Sequence, residues 1–303
     1  CAKDELYNKE TNNEELIDMV FTAGSKHPLS RTVLGADGET VTWQENDQIG
    51  IGYQYSDNNV TRPFKTPTAG SDVHFWGKAV DVTSSYFMMY PYQENAKISY
   101  KNNLQAEYKF SFPKNQTATA GSFDPKANIS VGVIPKRYEP FIAYNVGGLV
   151  RFTIKGTDKV KQVKLFAIGQ DNLVGDITSM ISFKTNGQIN KMQTKITNGT
   201  PVVNLIAENG GLKEETPYYI ALPEEKISKG ISIIFTLDNG KSIIKKVKQE
   251  INIERAKVYD LGEIVLNPTS AKAFILKNKV LIDAVSEIIH GLERYGNGDM
   301  NIY

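Results

Sequence analysis

Apolar and polar residues alternate with a period of two along most of the chain. In the stretch "TVTWQENDQIGIGYQY" (40–55), for example, Ile49, Ile51 and Tyr53 occupy every second position. This spacing predicts a strand with one buried face and one polar face. Comparable short apolar segments occupy residues 19–24, 72–82, 84–93, 147–156, 160–168, 218–223, 231–253 and 257–266.

The segments between these strands are short and rich in Gly, Asn, Pro and Asp. In "LDNGK" (237–241) the Asn-Gly pair predicts a hairpin with a type I′ turn, because both residues accept positive φ angles. Closely spaced strands with such turns predict an all-β sandwich or barrel rather than a β-α-β arrangement. No run of about 18 apolar residues is present, so the sequence predicts no membrane-spanning helix.

The alternation of apolar and polar residues is interrupted near residues 113–148, and this interruption divides the predicted strands into two groups. The stretch "PKNQTATAGSFDPKANIS" is polar and loop-like, and a fresh strand follows "YEPFIAYNVGG". We therefore predict a first β domain over residues 18–144 and a second over 145–268, with the boundary near Tyr144–Asn145 and the end near Pro268. Residues 1–17 lack apolar periodicity, and this pattern predicts a polar tether.

The last 35 residues, 269–303, form a C-terminal appendage with two interpretations. As strands, "AFILKNKVLIDAV" (273–285) is apolar enough to pair with a sheet. As a helix, the segment has one apolar face, and periodicity alone does not separate the two. That face would consist of Leu281, Val285, Ile288, Ile289 and Leu292.

Cys1 is the single cysteine of the sequence, and a polar, charged segment follows it. One interpretation is an arbitrary starting point of the sequence. The other is a bacterial lipoprotein whose signal peptide is cleaved just before a cysteine that is then acylated. The polar tether favours the second interpretation, and more than one acyl chain would be needed for stable anchoring.

Charge and candidate chemistry narrow the function further. Lys plus Arg number 35 and Asp plus Glu number 34, for a net charge of +1, which argues against a general nucleic-acid binder. His27, His74 and His290 have no metal-ligand spacing, so we expect no metal site. No nucleotide-binding loop or nucleophile motif is present, so we expect neither a cofactor nor an enzyme.

The order of motifs along the chain resembles the fimbrillin family of Bacteroidales, the FimA- and Mfa-like pilin subunits. The resemblance covers about residues 18–268. The family often has Trp-x-x-Gly-Asp where this chain has Trp43 to Asp47, but Asn46 can adopt the left-handed conformation that Gly would supply. The motifs are "MVFTAGSKHPLSRT", "TWQENDQIGIGY", "HFWGKAV", "YFMMYPYQ", "FPKNQTATAGSFDPKANISVG", "NVGGLVRFTIKG", "YYIALPEEKISKGISIIFTLDNG" and "KVYDLGEIVL".

The resemblance implies two transthyretin-like β-sandwich domains in tandem and a lipoprotein precursor held at the outer membrane through Cys1. It also implies that a trypsin-like protease cuts after a basic residue and removes the first strand, here predicted at residues 19–24. Arg31 is the preferred cleavage position and Lys26 the second choice. Arg62 is a poor one, because Pro63 follows it.

Assembly into a cell-surface fimbrium then follows by strand addition from another pilin subunit, with adhesion as the outcome. A donor strand with about four inward apolar side chains would gain roughly 6–12 kcal/mol of burial before ordering costs. The tail is one candidate donor, and the packed helix stays its alternative. The donor candidates are Phe274, Leu276, Val280 and Ile282.

A second hypothesis is a monomeric surface lipoprotein that binds glycans. Trp43, Trp76 and Tyr86 would be its stacking residues, since aromatic rings offer flat apolar surfaces to sugars. The sequence itself specifies neither the host or bacterial surface ligand nor the position of the subunit in a fibre.

Overall fold

The structure is a computed structural model that describes residues 15–24, 33–34, 41–101 and 104–273. Across these residues the backbone is almost entirely β, which confirms the predicted all-β class. The described strands are β1 Ile17–Thr22, β2 Val33–Leu34, β3 Val41–Thr42, β4 Gln48–Tyr55, β5 Asn58–Lys65, β6 His74–Ala79, β7 Tyr86–Tyr90, β8 Lys97–Lys101, β9 Gln105–Ser111, β10 Asn115–Thr117, β11 Ser130–Ile134, β12 Tyr144–Asn145, β13 Gly147–Lys155, β14 Val160–Ala167, β15 Val174–Phe183, β16 Ile189–Thr200, β17 Val202–Ile206, β18 Tyr218–Pro223, β19 Glu225–Ile227, β20 Ile231–Leu237, β21 Ser242–Val247, β22 Ile251–Ile253 and β23 Val258–Val265.

A seven-stranded antiparallel sheet in the order β1-β6-β5-β4-β7-β11-β12 dominates the first half of the chain. The alternation predicted in β4 is present, since Ile49, Ile51 and Tyr53 are buried on one face. Gly52 faces the other way, where a Cβ atom would lie 2.7 Å from the Cβ of Ile98. Glycine at this position therefore lets β8 pack closely against the sheet.

Two hydrophobic cores lie on opposite faces of β7, whose five residues are all buried. Tyr86, Met88 and Tyr90 belong to an aromatic-rich core that also contains residues of β1, β4, β5 and β6. Phe87 and Met89 belong to the larger core that runs on into the second half of the chain. An uninterrupted apolar run is the expected sequence of a strand buried on both faces.

The two halves of the chain exchange strands. A four-stranded sheet in the order β16-β15-β9-β8 joins β8 and β9 of the first half to β15 and β16 of the second. In return, β10 pairs in parallel with β17 of the second half. The division into domains 18–144 and 145–268 stays a prediction.

The second half is a sandwich built around β13. A five-stranded sheet, β10-β17-β14-β20-β21, and a three-stranded sheet, β18-β13-β23, contribute to one core, and a short β19-β22 ribbon adjoins it. Val150, Phe152 and Ile154 are buried along β13 as their alternation predicts. The rings of Phe152 and Phe235 join the two sheets with centroids 6.3 Å apart.

One predicted turn is wrong in detail. The hairpin between β20 and β21 is present, but it has a three-residue loop in which the left-handed φ angle falls on Gly240, at 80°, and not on Asn239. The backbone N–H of Leu237 donates to the Lys241 carbonyl oxygen at 2.8 Å, and these two residues close the loop. Three-residue hairpin loops require a single left-handed residue, usually glycine, whereas a type I′ turn requires two.

The predicted conformation of Asn46 is confirmed. Its φ angle is 71°, in the left-handed region, within a turn closed by the Asp47 N–H donating to the Gln44 carbonyl oxygen at 3.1 Å. In the part of the chain that the structure describes, no helix has the length and apolar character needed to cross a membrane.

Candidate functional site

The first strand, β1, lies at the edge of the seven-stranded sheet and is seated on an aromatic core. It pairs with β6 through six residue positions, with Met19 opposite Gly77 and Phe21 opposite Phe75. Met19, Phe21 and Ala23 all point inward and are at most 2% exposed. The strand predicted at residues 19–24 therefore exists, two residues earlier in the sequence.

The core beneath β1 consists largely of aromatic rings. The Phe21 ring lies 5.1 Å from that of Phe64 and 5.0 Å from that of Tyr86, measured between centroids. Both arrangements are tilted or edge-on, the geometry that aromatic pairs prefer. A site emptied of Phe21 would therefore be an apolar, ring-lined groove that suits another large apolar side chain.

The edge of β1 that faces away from β6 contacts the segment just before β12, the strand at the opposite end of the same sheet. A parallel bridge joins Ala23 to Phe141, which lies three residues before β12. The Phe141 N–H donates to the Thr22 carbonyl oxygen at 3.0 Å, and the Gly24 N–H donates to the Phe141 carbonyl oxygen at 2.9 Å. Among the described residues no strand pairs with this edge of β1 before Thr22. The strand is therefore anchored on one side over its length and on the other only at its end.

The outward face of β1 and β6 contributes little to holding the strand. Asp18 and Lys78 form an ion pair at 3.3 Å with both side chains more than half exposed, and such pairs are worth about 0–1 kcal/mol. The inward side chains therefore dominate the attachment. The outward cross-strand pairs are Asp18 with Lys78, Val20 with Trp76, and Thr22 with His74.

The residues predicted for processing lie outside the described residues. Lys26 and Arg31 fall in residues 25–32, directly after β1 and Gly24 in the sequence. Cys1 precedes the first described residue, Glu15. Their roles in cleavage and lipidation stay predictions.

The donor candidates of the tail also lie outside the described residues, which end at Ala273. Lys272 forms an antiparallel bridge with Ser242 at the edge strand β21, through two backbone hydrogen bonds of 2.9 and 3.1 Å. The described chain thus ends beside the edge of the five-stranded sheet. The candidates in question are Phe274, Leu276, Val280 and Ile282.

The three aromatic residues of the glycan hypothesis are not brought together on a surface. Trp43 is 1% exposed and Tyr86 is fully buried, whereas Trp76 is 55% exposed. The Tyr86 hydroxyl donates to the Val80 carbonyl oxygen at 2.9 Å, and burial raises the pKa of this hydroxyl. Trp43 and Tyr86 therefore cannot stack on a sugar, and that version of the hypothesis is wrong for both.

Candidate chemistry is sparse among the described residues. They contain no group of three or more His, Cys, Asp and Glu side chains that could hold a metal ion. His74 is exposed, and its Nδ1 lies 2.9 Å from the Thr22 hydroxyl. An edge strand over an apolar groove is thus the feature that most resembles an interaction site.

Sequence reasoning missed the role of Phe141. The stretch "YEPFIAYNVGG" reads as a linker, whereas its Phe141 closes the sheet against β1 and enters the aromatic core. The signal available was a short apolar run, Phe141-Ile142-Ala143, which does not specify a partner 118 residues before Phe141, at Ala23.

No family model matches the chain, and no curated relative matches it either. Several solved structures are similar to it at low sequence identity. A proposed cell adhesion protein of Bacteroides uniformis is 14% identical, with 86% of this chain and 96% of that chain covered at a TM-score of 0.46. Another from Bacteroides ovatus is 12% identical, with 80% and 87% covered at a TM-score of 0.45.

A fimbrial protein of Bacteroides ovatus is also similar. It is 11% identical, with 84% of this chain and 51% of that chain covered at a TM-score of 0.34. The structural neighbours are thus proposed cell adhesion proteins and a fimbrial protein of Bacteroides.

Proposed function

We propose that the chain is a structural subunit of cell-surface fimbriae that supports adhesion. In this proposal the precursor is a lipoprotein anchored to the outer membrane through Cys1. A trypsin-like protease cuts after Arg31, or after Lys26, and releases β1 together with the anchor. Other pilin subunits then fill the groove with a donor strand, and the polymer becomes a fimbrium.

The seating of β1 is the observation that carries the proposal. Met19 and Phe21 are buried, and full burial of each such side chain is worth about 1.5–3 kcal/mol. Removing β1 would expose this apolar surface and the hydrogen-bonding groups of β6. An exposed strand edge beside an apolar groove favours addition of a strand from another chain.

The chain order matches this scheme. The predicted cleavage residues, Lys26 and Arg31, immediately follow the strand whose removal opens the groove, and Cys1 precedes it. One cut would therefore separate both the anchor and β1 from the rest of the subunit. Head-to-tail addition of strands does not close on itself, so it extends into a filament.

Limited trypsin digestion of the full chain tests this function. We expect a product that begins at Thr32 by mass spectrometry, and a ladder of oligomers that resists mild denaturant on gels. The Arg31→Gln/Lys26→Gln variant should not be cut between β1 and β2 and should stay monomeric. Lys213→Gln, an exposed lysine in the second half, is the matched control and should behave like the parent.

Deleting residues 274–303 tests the donor assignment separately. If the tail supplies the donor strand, the truncated chain is still cut after Arg31 but yields no ladder. A ladder of undiminished length would assign the donor strand elsewhere. A cut that yields only monomer or unfolded chain, with the tail intact, would contradict the fimbrial proposal itself.

A further inference from the structure

The outer face of the four-stranded sheet β16-β15-β9-β8 carries a row of lysines. The inward side chains of this sheet, such as Ile98, Tyr108 and Ile177, are buried in the larger core. The alternate residues therefore point outward. On β8, β9, β15 and β16, no outward position carries an aromatic ring, and most outward residues are polar.

The lysine row lies on one rung of the sheet. Lys97 is opposite Lys109, Lys109 is opposite Thr178, and Thr178 is opposite Lys195. Directly opposed residues on antiparallel strands have Cβ atoms about 4.5–5.5 Å apart, where like charges destabilise each other. Three lysines across four strands therefore form a concentrated positive strip that an anion would stabilise.

The protein neutralises this strip only in part. Glu107 lies one position along β9 and forms ion pairs with Lys109 at 3.4 Å and with Lys101 at 3.5 Å. Within the described ranges, neither Lys97 nor Lys195 forms an ion pair with a carboxylate, and both are exposed. The two ends of the row are thus available to an external anion.

A cavity of about 450 Å³ lies against Lys97 and Lys109 of the row, and Lys195 is not part of its lining but lies opposite the lining residue Thr178. Its lining includes Lys97, Lys109 and the hydroxyl-bearing Thr178 and Thr197, together with the amide of Asn95. Such a mixture of cationic, amide and hydroxyl groups suits a ligand that carries both negative charge and many hydroxyls.

Asp176 places a negative charge in the same cavity. Its carboxylate accepts hydrogen bonds from the Asn198 amide at 3.0 Å and from the Ser111 hydroxyl at 2.9 Å, and these bonds lower its pKa. The group is therefore negative at neutral pH. An anionic ligand must keep away from it, toward Lys97 and Lys195.

A second cavity, of about 550 Å³, continues from the first. The two share Gln93 and Ser111, and the Gln93 amide is fixed by two backbone hydrogen bonds of 2.9 Å to Ser111. This second cavity has rigid apolar walls as well as polar groups. Its lining includes Tyr92, Pro91, Pro113, Pro125 and Asn46, together with one acidic and one basic residue, Asp47 and Lys126.

We propose that the two cavities bind an acidic oligosaccharide. Its carboxylate or sulfate groups would lie on the Lys97, Lys109 and Lys195 row, and a neighbouring sugar ring would pack against Tyr92 and the proline wall. A nucleic acid fits less well, because the lysine row lacks the interleaved aromatic rings on which bases stack. This inference goes beyond the fimbrial role and does not depend on it.

Isothermal titration calorimetry on the full chain tests the proposal. The probes are tetragalacturonate for carboxylates, a chondroitin sulfate tetrasaccharide for sulfates, maltotetraose as the neutral control, and a ten-nucleotide oligothymidylate. We expect at least one acidic tetrasaccharide to bind about tenfold or more tightly than maltotetraose. Raising the salt concentration from 50 to 500 mM should weaken that binding, because salt screens exposed charges.

The Lys97→Gln/Lys195→Gln variant should lose about tenfold or more in affinity for the acidic probe. The matched control, Lys213→Gln/Lys229→Gln, removes two exposed lysines elsewhere and should change affinity less than about twofold. Tyr92→Ala should weaken binding independently of salt. Thermal unfolding of each variant, unchanged for the exposed lysines, shows that the fold is retained.

Four results would each overturn the proposal. The first is no binding of either acidic probe at 1 mM ligand, a concentration that as a dissociation constant corresponds to a binding free energy of roughly −4 kcal/mol. The second is equal binding of the neutral probe, and the third is an equal loss of affinity in the two lysine variants. The fourth is tighter binding of the oligothymidylate than of the acidic probes. Trypsin-induced oligomer ladders in Lys97→Gln/Lys195→Gln report on the fimbrial function separately, so failure of one proposal leaves the other measurable.

Discussion

Replacing Phe21 with alanine tests whether the inner face holds β1 in place. The Phe21 side chain is 1% exposed, and its ring packs against those of Phe64 and Tyr86 at about 5 Å. Truncating a buried Phe to Ala costs about 3–5 kcal/mol, which combines lost burial with the cavity that is left behind. Since β1 is an edge strand, we expect part of this loss to appear as local detachment of β1.

Val20→Ala is the matched control on the same strand. Val20 is half-buried and points outward, opposite the exposed Trp76, so its truncation should cost less than about 1 kcal/mol. The two substitutions therefore truncate an apolar side chain to alanine on opposite faces of the same strand. A large difference between the two variants is what the described packing requires.

Urea unfolding and hydrogen–deuterium exchange measure the two consequences. We expect a fall of about 3–5 kcal/mol in the free energy of unfolding for Phe21→Ala, or a smaller fall together with rapid exchange in the peptide that covers β1. Val20→Ala should leave both readouts near the parent. If the two variants behave alike, or if Phe21→Ala changes neither readout, then the inner face does not seat β1.

Three further substitutions probe features away from β1. Glu225→Gln should flatten the dependence of stability on pH, because burial, with Asp171 nearby, raises the pKa of the Glu225 carboxyl to about 9. Folded stability of the parent therefore falls as pH rises from about 4.5 toward 9, and in urea unfolding the variant should gain on the order of 5 kcal/mol at pH 8 and little at pH 4. A parent with no such slope would contradict this. Gly52→Ala should lower the melting temperature and reduce the free energy of unfolding by about 1–3 kcal/mol, because the added Cβ would lie 2.7 Å from the Cβ of buried Ile98. An unchanged melting temperature would show that β8 packs elsewhere. Asn46→Ala should reduce the free energy of unfolding by about 1–2 kcal/mol, because alanine is strained at a φ angle of 71°, whereas Asn46→Gly should leave it unchanged. Equal stability of the two variants in thermal unfolding would argue against the left-handed turn.

The strands with clear alternation were predictable because their signal is local, whereas longer strands such as β15 and β16 were not predicted. Alternation in β4 and β13 reports which side chains face a core, and the structure buries Ile49, Ile51, Phe152 and Ile154 as that alternation predicts. The left-handed Asn46 was likewise foreseeable, since the conformational freedom of one residue type does not depend on distant contacts.

The loop of the β20–β21 hairpin shows where local reasoning stops. The dipeptide Asn239-Gly240 fits a two-residue type I′ turn, but the pairing of Thr236 with Ser242 leaves a three-residue loop between Leu237 and Lys241. Register is set by which side chains of β20 and β21 enter the core, and the turn adapts to it.

The sequence alone determined the β class, the positions of about half of the described strands and the inward or outward side of residues in alternating strands such as β4 and β13, because these follow from a period of two along the backbone. The tertiary structure decided which strands are neighbours. Only that pairing brings Phe141 against β1, exchanges strands between the two halves, and places Lys97, Lys109 and Lys195 on one rung. These contacts join residues that are far apart in the chain, and a local pattern of apolar and polar residues specifies a face to be covered but not the segment that covers it.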